Sequence, residues 1–321
     1  MERAIEPDLV ICDPHHHLWD TSSHGSTPYL VDDLLADHTT GHRIESTVFV
    51  ECSWALLGGG PEHLRPVGET RAVAALAPGS PIGAIISTAD LTLPTELLEE
   101  TLAAHDAAAN GLFRGIRDRV ATDPTVPVVS MPDSLRTKLP SASFRRGLAT
   151  LARVDLSFDV WALHPQIPDV TAAARAVPDL RIVLDHLGAP LGTGHYADDR
   201  AATLRDWRAS MLELATCQNV HVKLGGIGMV IFGLALPRDA SGTGATSDEV
   251  VARWGHEIRF VIDTFGPSRC MFESNFPVDR AGIDYVVLWN AFKKLSVGYS
   301  AAERANLFHG TATAFYRLAT S

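Results

Sequence analysis

The sequence predicts a (β/α)8 barrel of the TIM type with an additional C-terminal helix, and three observations carry that prediction. Eight short β-rich runs recur along the chain, segments of helical composition separate them in one series, and histidine, arginine, lysine or carboxylate residues end several of the runs. Alternating strands and helices give a parallel sheet wound with helices, and eight repeats suffice to close it. Enzymes of this architecture keep their chemistry at the C-terminal ends of the strands.

The predicted strands lie near Leu9–His15, Thr47–Cys52, Ile82–Ser87, Phe113–Arg117, Phe158–Leu163, Arg181–His186, Val220–Leu224 and Cys270–Asn275. Alanine-, leucine- and charge-rich segments fall between them: Pro61–Leu76, Pro94–Gly111, Phe144–Ala152, Asp169–Ala176, Ala201–Cys217, Asp248–Phe265 and Gly282–Leu295. Pro94 suits a first helical turn and Gly111 a helix end. Ala301–Leu318 supplies the extra helix, and one domain over residues 1–321 accommodates a barrel of ~250 residues with additions. The Gly-rich polar stretches Gly188–Asp199 and Gly225–Ser247 follow strands six and seven and read as lids or substrate loops.

Composition narrows the function classes. The formal charge of −11 arises from 38 acidic against 27 basic residues, and no Lys/Arg cluster tracks a phosphate backbone, so nucleic acid is not an expected partner. No stretch approaches the ~20 apolar residues that span a membrane, and the first residues carry no apolar signal core; a cytoplasmic protein is expected. Cys12, Cys52, Cys217 and Cys270 lack CxxC spacing, and three of them sit in or at the end of apolar runs, which reads as reduced, buried thiols.

Strand parity predicts what enters the barrel mouth. Alternate residues share a face, so His15 and His17 of Asp13-Pro-His-His-His17 converge on one metal ion or substrate group, with Asp13 on their side and His16, Cys12 and Pro14 facing the helices. Arg117 ends strand four inside the mouth as a fork for a carboxylate, whereas Arg114 takes the opposite face. Strand six offers His186 on the face of Ile182 and Leu184, with Asp185 directed away to orient backbone or a rim cation. On strand seven the alternation turns Lys223 inward, where it must be paired or functional. Glu273 and Asn275 share a face of strand eight, and Glu51 is favoured over Cys52 to enter the mouth from strand two. His164 either lines the pocket or merely precedes the turn at Pro165, and Trp19, Trp54 and Trp161 are wall candidates or packing residues.

In order, the His-x-His after strand one, Asp185-His-Leu-Gly188 after strand six and Ser274-Asn-Phe-Pro-Val-Asp279 after strand eight resemble the amidohydrolase superfamily, in its second, lactonase-like amidohydrolase family. That family includes 2-pyrone-4,6-dicarboxylate lactonase and L-fuconolactonase. Phe113-Arg-Gly-Ile-Arg117 and Val222-Lys-Leu-Gly-Gly226 are weaker markers, and the likeness runs from about Ile11 to the final helix. The resemblance implies a hydrolase that opens a small carboxylated or polyhydroxylated lactone with activated water. His15, His17 and His186 either hold a divalent, zinc-like ion or, in a metal-free site, contact the substrate carbonyl; Arg117, Lys223, His164 and Trp54 are the substrate-binding candidates.

One departure matters. The family's strand-eight motif carries an aspartate base where this chain has Asn275, and an amide can orient water or donate to an oxyanion but has no useful basicity. Glu51 or Asp279 is then the expected base, with His186 and Glu273 also in the neighbourhood. The competing readings are a metal-dependent decarboxylase of an aromatic or muconate-type acid, a metal-free lactone isomerase, and a non-catalytic binder of a small acid. The expected partner is a small molecule, and the exposed helices of a barrel are compatible with a homodimer.

Overall fold

Parallel pairing runs in strict sequence order through the computed structural model, which describes residues 2–20, 27–123, 125–126, 137–233, 238 and 242–319. The strands are β1 (Val10–His16), β2 (Arg43–Val50), β3 (Ile82–Ser87), β4 (Phe113–Arg119), β5 (Ser157–Trp161), β6 (Ile182–Leu184), β7 (Val220–Leu224) and β8 (Cys270–Phe272). His16 bridges to Phe276, and the Asn275 amide donates to the His15 carbonyl (2.9 Å), so contacts just past β8 bring the sheet nearly to closure as a (β/α)8 barrel.

The helices are α1 (Val31–His38), α2 (Val67–Leu76), α3 (Thr95–Ala108), α4 (Ala142–Arg153), α5 (Ile167–Ala176), α6 (Arg200–Leu214), α7 (Ser247–Phe265) and α8 (Tyr285–Leu295). Of these only α1 has no counterpart in the sequence reading. In α4 the buried Phe144, Gly147, Leu148 and Leu151 recur at helical spacing, and the Ser141 hydroxyl accepts from the Phe144 amide (3.1 Å) to cap the start. A Thr246/Glu249 capping box opens α7. The predicted C-terminal helix is α9 (Ala301–Ala305), a π turn (Asn306–Gly310) and α10 (Thr311–Tyr316) in succession.

That last segment plugs the barrel from below. Ala312, Phe315, Tyr316 and Leu318 pack against the inward-facing Cys12, Val48, Val50, Ala84, Ile86, Val183 and Met271, forming an apolar floor. Phe49, Phe158, Val160, Leu184, Val222 and Phe272 face outward into the layer shared with the helices. The buried charged side chains inside the barrel stand above this floor, towards the C-terminal mouth.

Two parity expectations are corrected. The β1 register shifts between Asp13 and His16, so Cys12 faces the floor while Asp13 points outward, accepting from the Ser274 amide (2.9 Å) and the Tyr285 hydroxyl (3.1 Å). Past the shift, His15 and His17 share the inner face as expected, and His16 faces away, 3.0 Å from Thr47 Oγ1. On β6 it is Val183 that joins the floor, so the next inward residue is Asp185 and not, by alternation, His186. His186 reaches the mouth because the chain turns there, with left-handed backbone at His186 (φ 54°) and Leu187 (φ 57°).

All four cysteines are buried and free. Among the described residues no helix is long and apolar enough to cross a membrane.

Candidate active site

The mouth opens into a cavity of about 230 Å3. Trp19, Trp161, Met229 and Val278 form its apolar walls, and His17, Arg117, Arg119, His186 and Asn275 its polar ones, beside Cys52. Of the expected loops over it, Gly188–Asp199 is described throughout, whereas residues 234–237 and 239–241 of the second lie outside the described residues.

Three imidazoles converge here. The Nδ1 of His17 lies 2.8 Å from the Val50 carbonyl; a carbonyl only accepts, so that nitrogen carries the hydrogen and Nε2 presents a lone pair. His15 Nε2 stands 3.3 Å from that atom. His186 Nδ1 donates to Glu273 Oε1 (2.7 Å), while Glu273 Oε2 comes within 2.9 Å of His15 Nδ1. Burial pushes the Glu273 carboxyl up, but His186 and His15 more than offset this and hold it down at about 2. Burial and then Lys223 hold His15 well below the usual imidazole range, as burial and Arg117 do for His17. Gly225 and Gly226 carry β7 past this group: a Cβ on Gly225 would stand 2.3 Å from Glu273 Cγ, and one on Gly226 2.7 Å from the His186 ring.

Beneath and beside the imidazoles lies a buried ionic layer. Lys223 is fully buried, its Nζ 2.7 Å from Asp159 Oδ2, 3.2 Å from Asp185 Oδ1 and 3.1 Å from His15 Nδ1. It supports the site from below and does not line the cavity, so its sequence-derived role as a substrate contact moves to that of a structural cation. Arg117 donates from Nε to Glu51 Oε1 (2.9 Å) and from Nη2 to the Glu51 carbonyl, and its Nη1 lies 3.3 Å from His15 Nε2. Each nitrogen of the expected carboxylate fork already has a protein partner. Arg119 binds the other oxygen of Glu51 (2.9 Å) and Ser53, and its side chain is 36% exposed at the cavity. Burial opposes ionisation of Glu51, yet the two guanidinium groups keep its carboxyl below the usual range. A carboxylate so held is a poor base.

Asn275 lines the cavity in a left-handed conformation (φ 54°), and its Nδ2 donates to Asp279 Oδ1 (2.8 Å). Asp279 is fully buried behind it, its second oxygen accepting from the Gly228 amide (2.9 Å). Burial raises its pKa to about 7. Asp279 therefore fixes the amide, leaving Asn275 Oδ1 as the acceptor, and stands outside the cavity.

Two predicted wall residues are elsewhere. His164 sits in the turn after β5, where Nδ1 accepts from the Leu191 amide (3.2 Å) and the ring packs on Tyr196. Trp54 is buried in the outer core, and its amide and that of Cys52 donate to Glu69 (2.8 Å each). Sequence reasoning missed Asp159 and Arg119 and turned Asp185 outward. A charge flanked by Phe158 and Val160 in mid-strand is a signal for Asp159, since a buried lysine demands a partner, and Arg119 stands two residues beyond Arg117 on the same face.

The amidohydrolase family's sequence profile matches residues 12–318. This chain belongs to that family. It is therefore an enzyme of hydrolytic class, with a small molecule as its substrate. Its relatives include the protein y4mH of Sinorhizobium fredii, 33% identical over 97% of this chain and 99% of that one, and L-fucono-1,5-lactonase of Burkholderia multivorans, 30% identical over 74% and 72%. A solved amidohydrolase of Burkholderia multivorans with bound zinc superposes with a TM-score of 0.73 at 25% identity, covering 97% of this chain and 100% of that one.

The residues present fit a divalent ion. Two nitrogens on a tetrahedral zinc with bonds of ~2.0–2.1 Å stand about 3.3–3.4 Å apart, which is the His15 to His17 Nε2 separation. His15, His186 and Glu273 also offer ligand atoms within 4.8 Å of one another, but Glu273 Oε1 is committed to His186 Nδ1 and acts as the carboxylate behind the imidazole. The carboxylates Glu51, Asp159, Asp185 and Glu273 face the cations Arg117, Arg119 and Lys223, an excess of one negative charge that suits an added cation.

Proposed function

We propose that this enzyme opens a small lactone bearing a carboxylate or several hydroxyl groups, by attack of water at the barrel mouth. The observation that carries the reading is a cluster of three imidazoles at one cavity, His17 and His186 lining it and His15 buried against both, with Glu273 behind them and Arg119 at the rim. The likeness to an L-fucono-1,5-lactonase supports the lactone.

His15 and His17 would hold the ion, and zinc is the candidate. Zinc bound there supplies a water acidified towards pH ~7 and a polarised carbonyl. The rest is the chain's work. Asn275 Oδ1, locked by Asp279, accepts from the attacking water and orients it. His186 accepts the proton at Nε2, since its Nδ1 hydrogen is committed to Glu273 and the resulting imidazolium is paired, and returns that proton to the ring oxygen as the acyl C–O bond breaks, giving the hydroxy acid. Glu51, Glu273 and Asp279 are each tied to other partners, so none serves as a free base. Arg119, whose Nε and Nη1 have no protein hydrogen-bond partner among the described residues, receives an anionic or hydroxyl group of the substrate, and Trp19 and Trp161 flank the ring.

The test is acid release at constant pH from a panel of sugar and carboxylated lactones, with metal content measured on protein purified without chelators. Ring opening with about one zinc per chain is expected. Carbon dioxide release would replace the reading with decarboxylation, a rearranged lactone without acid with isomerisation, and tight binding without product with a small-acid binding protein.

A further inference from the structure

Of the four plug residues that join the apolar floor, only Tyr316 carries a polar group. Phe315, Ala312 and Leu318 contribute only hydrocarbon, whereas the Tyr316 hydroxyl donates to Asp159 Oδ2 at 2.6 Å. The same oxygen accepts from Lys223 Nζ at 2.7 Å, and the other oxygen of Asp159 has no hydrogen-bond partner among the described residues. Tyr316, Asp159, Lys223 and His15 are all fully buried. A continuous line of contacts therefore joins the C-terminal helix to an imidazole of the candidate site.

That line ends on a choice at His15. A neutral imidazole carries one N–H. Its Nδ1 faces a donor, Lys223 Nζ at 3.1 Å, and a carboxylate oxygen, Glu273 Oε2 at 2.9 Å, that has no other hydrogen-bond partner among the described residues. If Nδ1 accepts from Lys223, the hydrogen sits on Nε2 and points at His17; if Nδ1 donates to Glu273, Nε2 presents a lone pair, with Arg117 Nη1 as the donor facing it at 3.3 Å. The three hydrogens of Lys223 face Asp159, Asp185 and His15, so a firm hold by Asp159 weakens its claim on His15.

We propose that Tyr316 is a positioning residue for the site: through Asp159 and Lys223 it sets the orientation and the proton-bearing nitrogen of His15. The inference rests on the reading of His15 as an imidazole of the hydrolytic centre. Replacing the hydroxyl by hydrogen leaves the ring to fill the floor, so Tyr316→Phe separates this role from packing.

The experiment is a double-mutant cycle of Tyr316→Phe and Asp159→Asn on the full chain, with Phe315→Leu as a packing control. Tyr316→Phe is expected to lower kcat roughly 10- to 100-fold, the loss of one hydrogen bond to a charged group, with KM within twofold. The double variant should be no slower than Asp159→Asn alone, because the tyrosine acts through the aspartate. Phe315→Leu should lower Tm and spare kcat. An unchanged kcat in Tyr316→Phe, or additive losses in the cycle, would overturn the proposal. A wild-type protein that turns over no lactone sinks the proposed function instead, and the positioning role is then read from the His15 ring nitrogens in a long-range proton–nitrogen spectrum of histidine-labelled protein, assigned with His15→Gln. Altered His15 resonances in Tyr316→Phe with those of His105 unmoved support the role; an unaltered His15 refutes it.

Discussion

Within one barrel, the floor and the layer above it are built on opposite principles. Below, Val48, Val50, Ile86, Val183 and Met271 meet Phe315 and Leu318 with no charge among them. Above, Lys223, Arg117, Asp159, Asp185, Glu51 and Glu273 are almost wholly withdrawn from solvent and bound to one another and to His15. Apolar contacts are non-directional and forgiving of shape, so the floor tolerates repacking. A buried charge is tolerable only while its partners stand, so the upper layer fails as a unit.

The largest effect should come from breaking that unit at its centre. Lys223→Met removes the cation between Asp159 and Asp185 and is expected to cost about 3–5 kcal/mol, whereas Met271→Leu on the floor should cost less than about 1.5 kcal/mol. Urea denaturation of both variants checks this. Equal costs would mean that the ionic layer is no more demanding than the packing beneath it.

Next in size is a catalytic loss without a structural one. His186→Gln is expected to lower kcat roughly 10²- to 10⁴-fold, the range of a general base, and, under the proposal that His15 and His17 hold the ion, to keep zinc content at the wild-type level. His15→Gln should instead lose the metal. Elemental analysis beside steady-state kinetics distinguishes the two, and loss of zinc in His186→Gln would make that imidazole a ligand.

A third prediction uses pH. Asp279 has a folded-state pKa raised by burial to about 7 against an unfolded value of ~3.9, so between these values the native state binds the extra proton. Its contribution to stability is favourable at low pH and is lost as pH rises from about 4 through 7. Glu273 works the other way: held at about 2, it stabilises above ~4.3 and gives this up only as pH falls towards 2. The wild type should therefore lose Tm between pH 5.5 and 8 by more than Asp279→Asn does. Thermal melts at the two pH values test it, and equal losses would refute the assignment of that titration to Asp279.

How much of this was legible in the sequence follows from where alternation holds. Eight strands and their order are written in β-rich runs separated by helical segments, and the plain alternation of β4, β7 and the end of β8 placed Arg117, Lys223, Glu273 and Asn275 inside. Parity broke where the backbone does. A register shift in β1 sent Asp13 outward, and a three-residue β6 followed by left-handed turns brought both Asp185 and His186 to the mouth. Partnership is not a local property either: that Glu51 lies between two arginines, or that Asp279 holds Asn275, depends on side chains 66 and 4 residues apart meeting in space. The two arginines weigh against reading Glu51 as a base, since an inward carboxylate and a basic one look alike until the partners are known.

The smallest effect tests the rim against the interior. Arg119 shares Glu51 with Arg117, but its side chain is 36% exposed, and ion pairs in contact with water are worth about 0–1 kcal/mol. Arg119→Gln should leave stability within that margin, because Arg117 still satisfies one oxygen of Glu51. If the guanidinium receives a carboxylate of the substrate, the same change removes a charge-assisted contact worth about 1.5–3 kcal/mol, a KM increase of roughly 10- to 100-fold for carboxylated lactones. A neutral polyhydroxylated lactone forms weaker hydrogen bonds to the same group, and its KM should rise severalfold at most. Comparing the two substrate series in this one variant assigns the substrate class: a selective loss with the anionic series identifies a carboxylated lactone, whereas an equal, small loss in both identifies a neutral one and leaves Arg119 as a tether for Glu51.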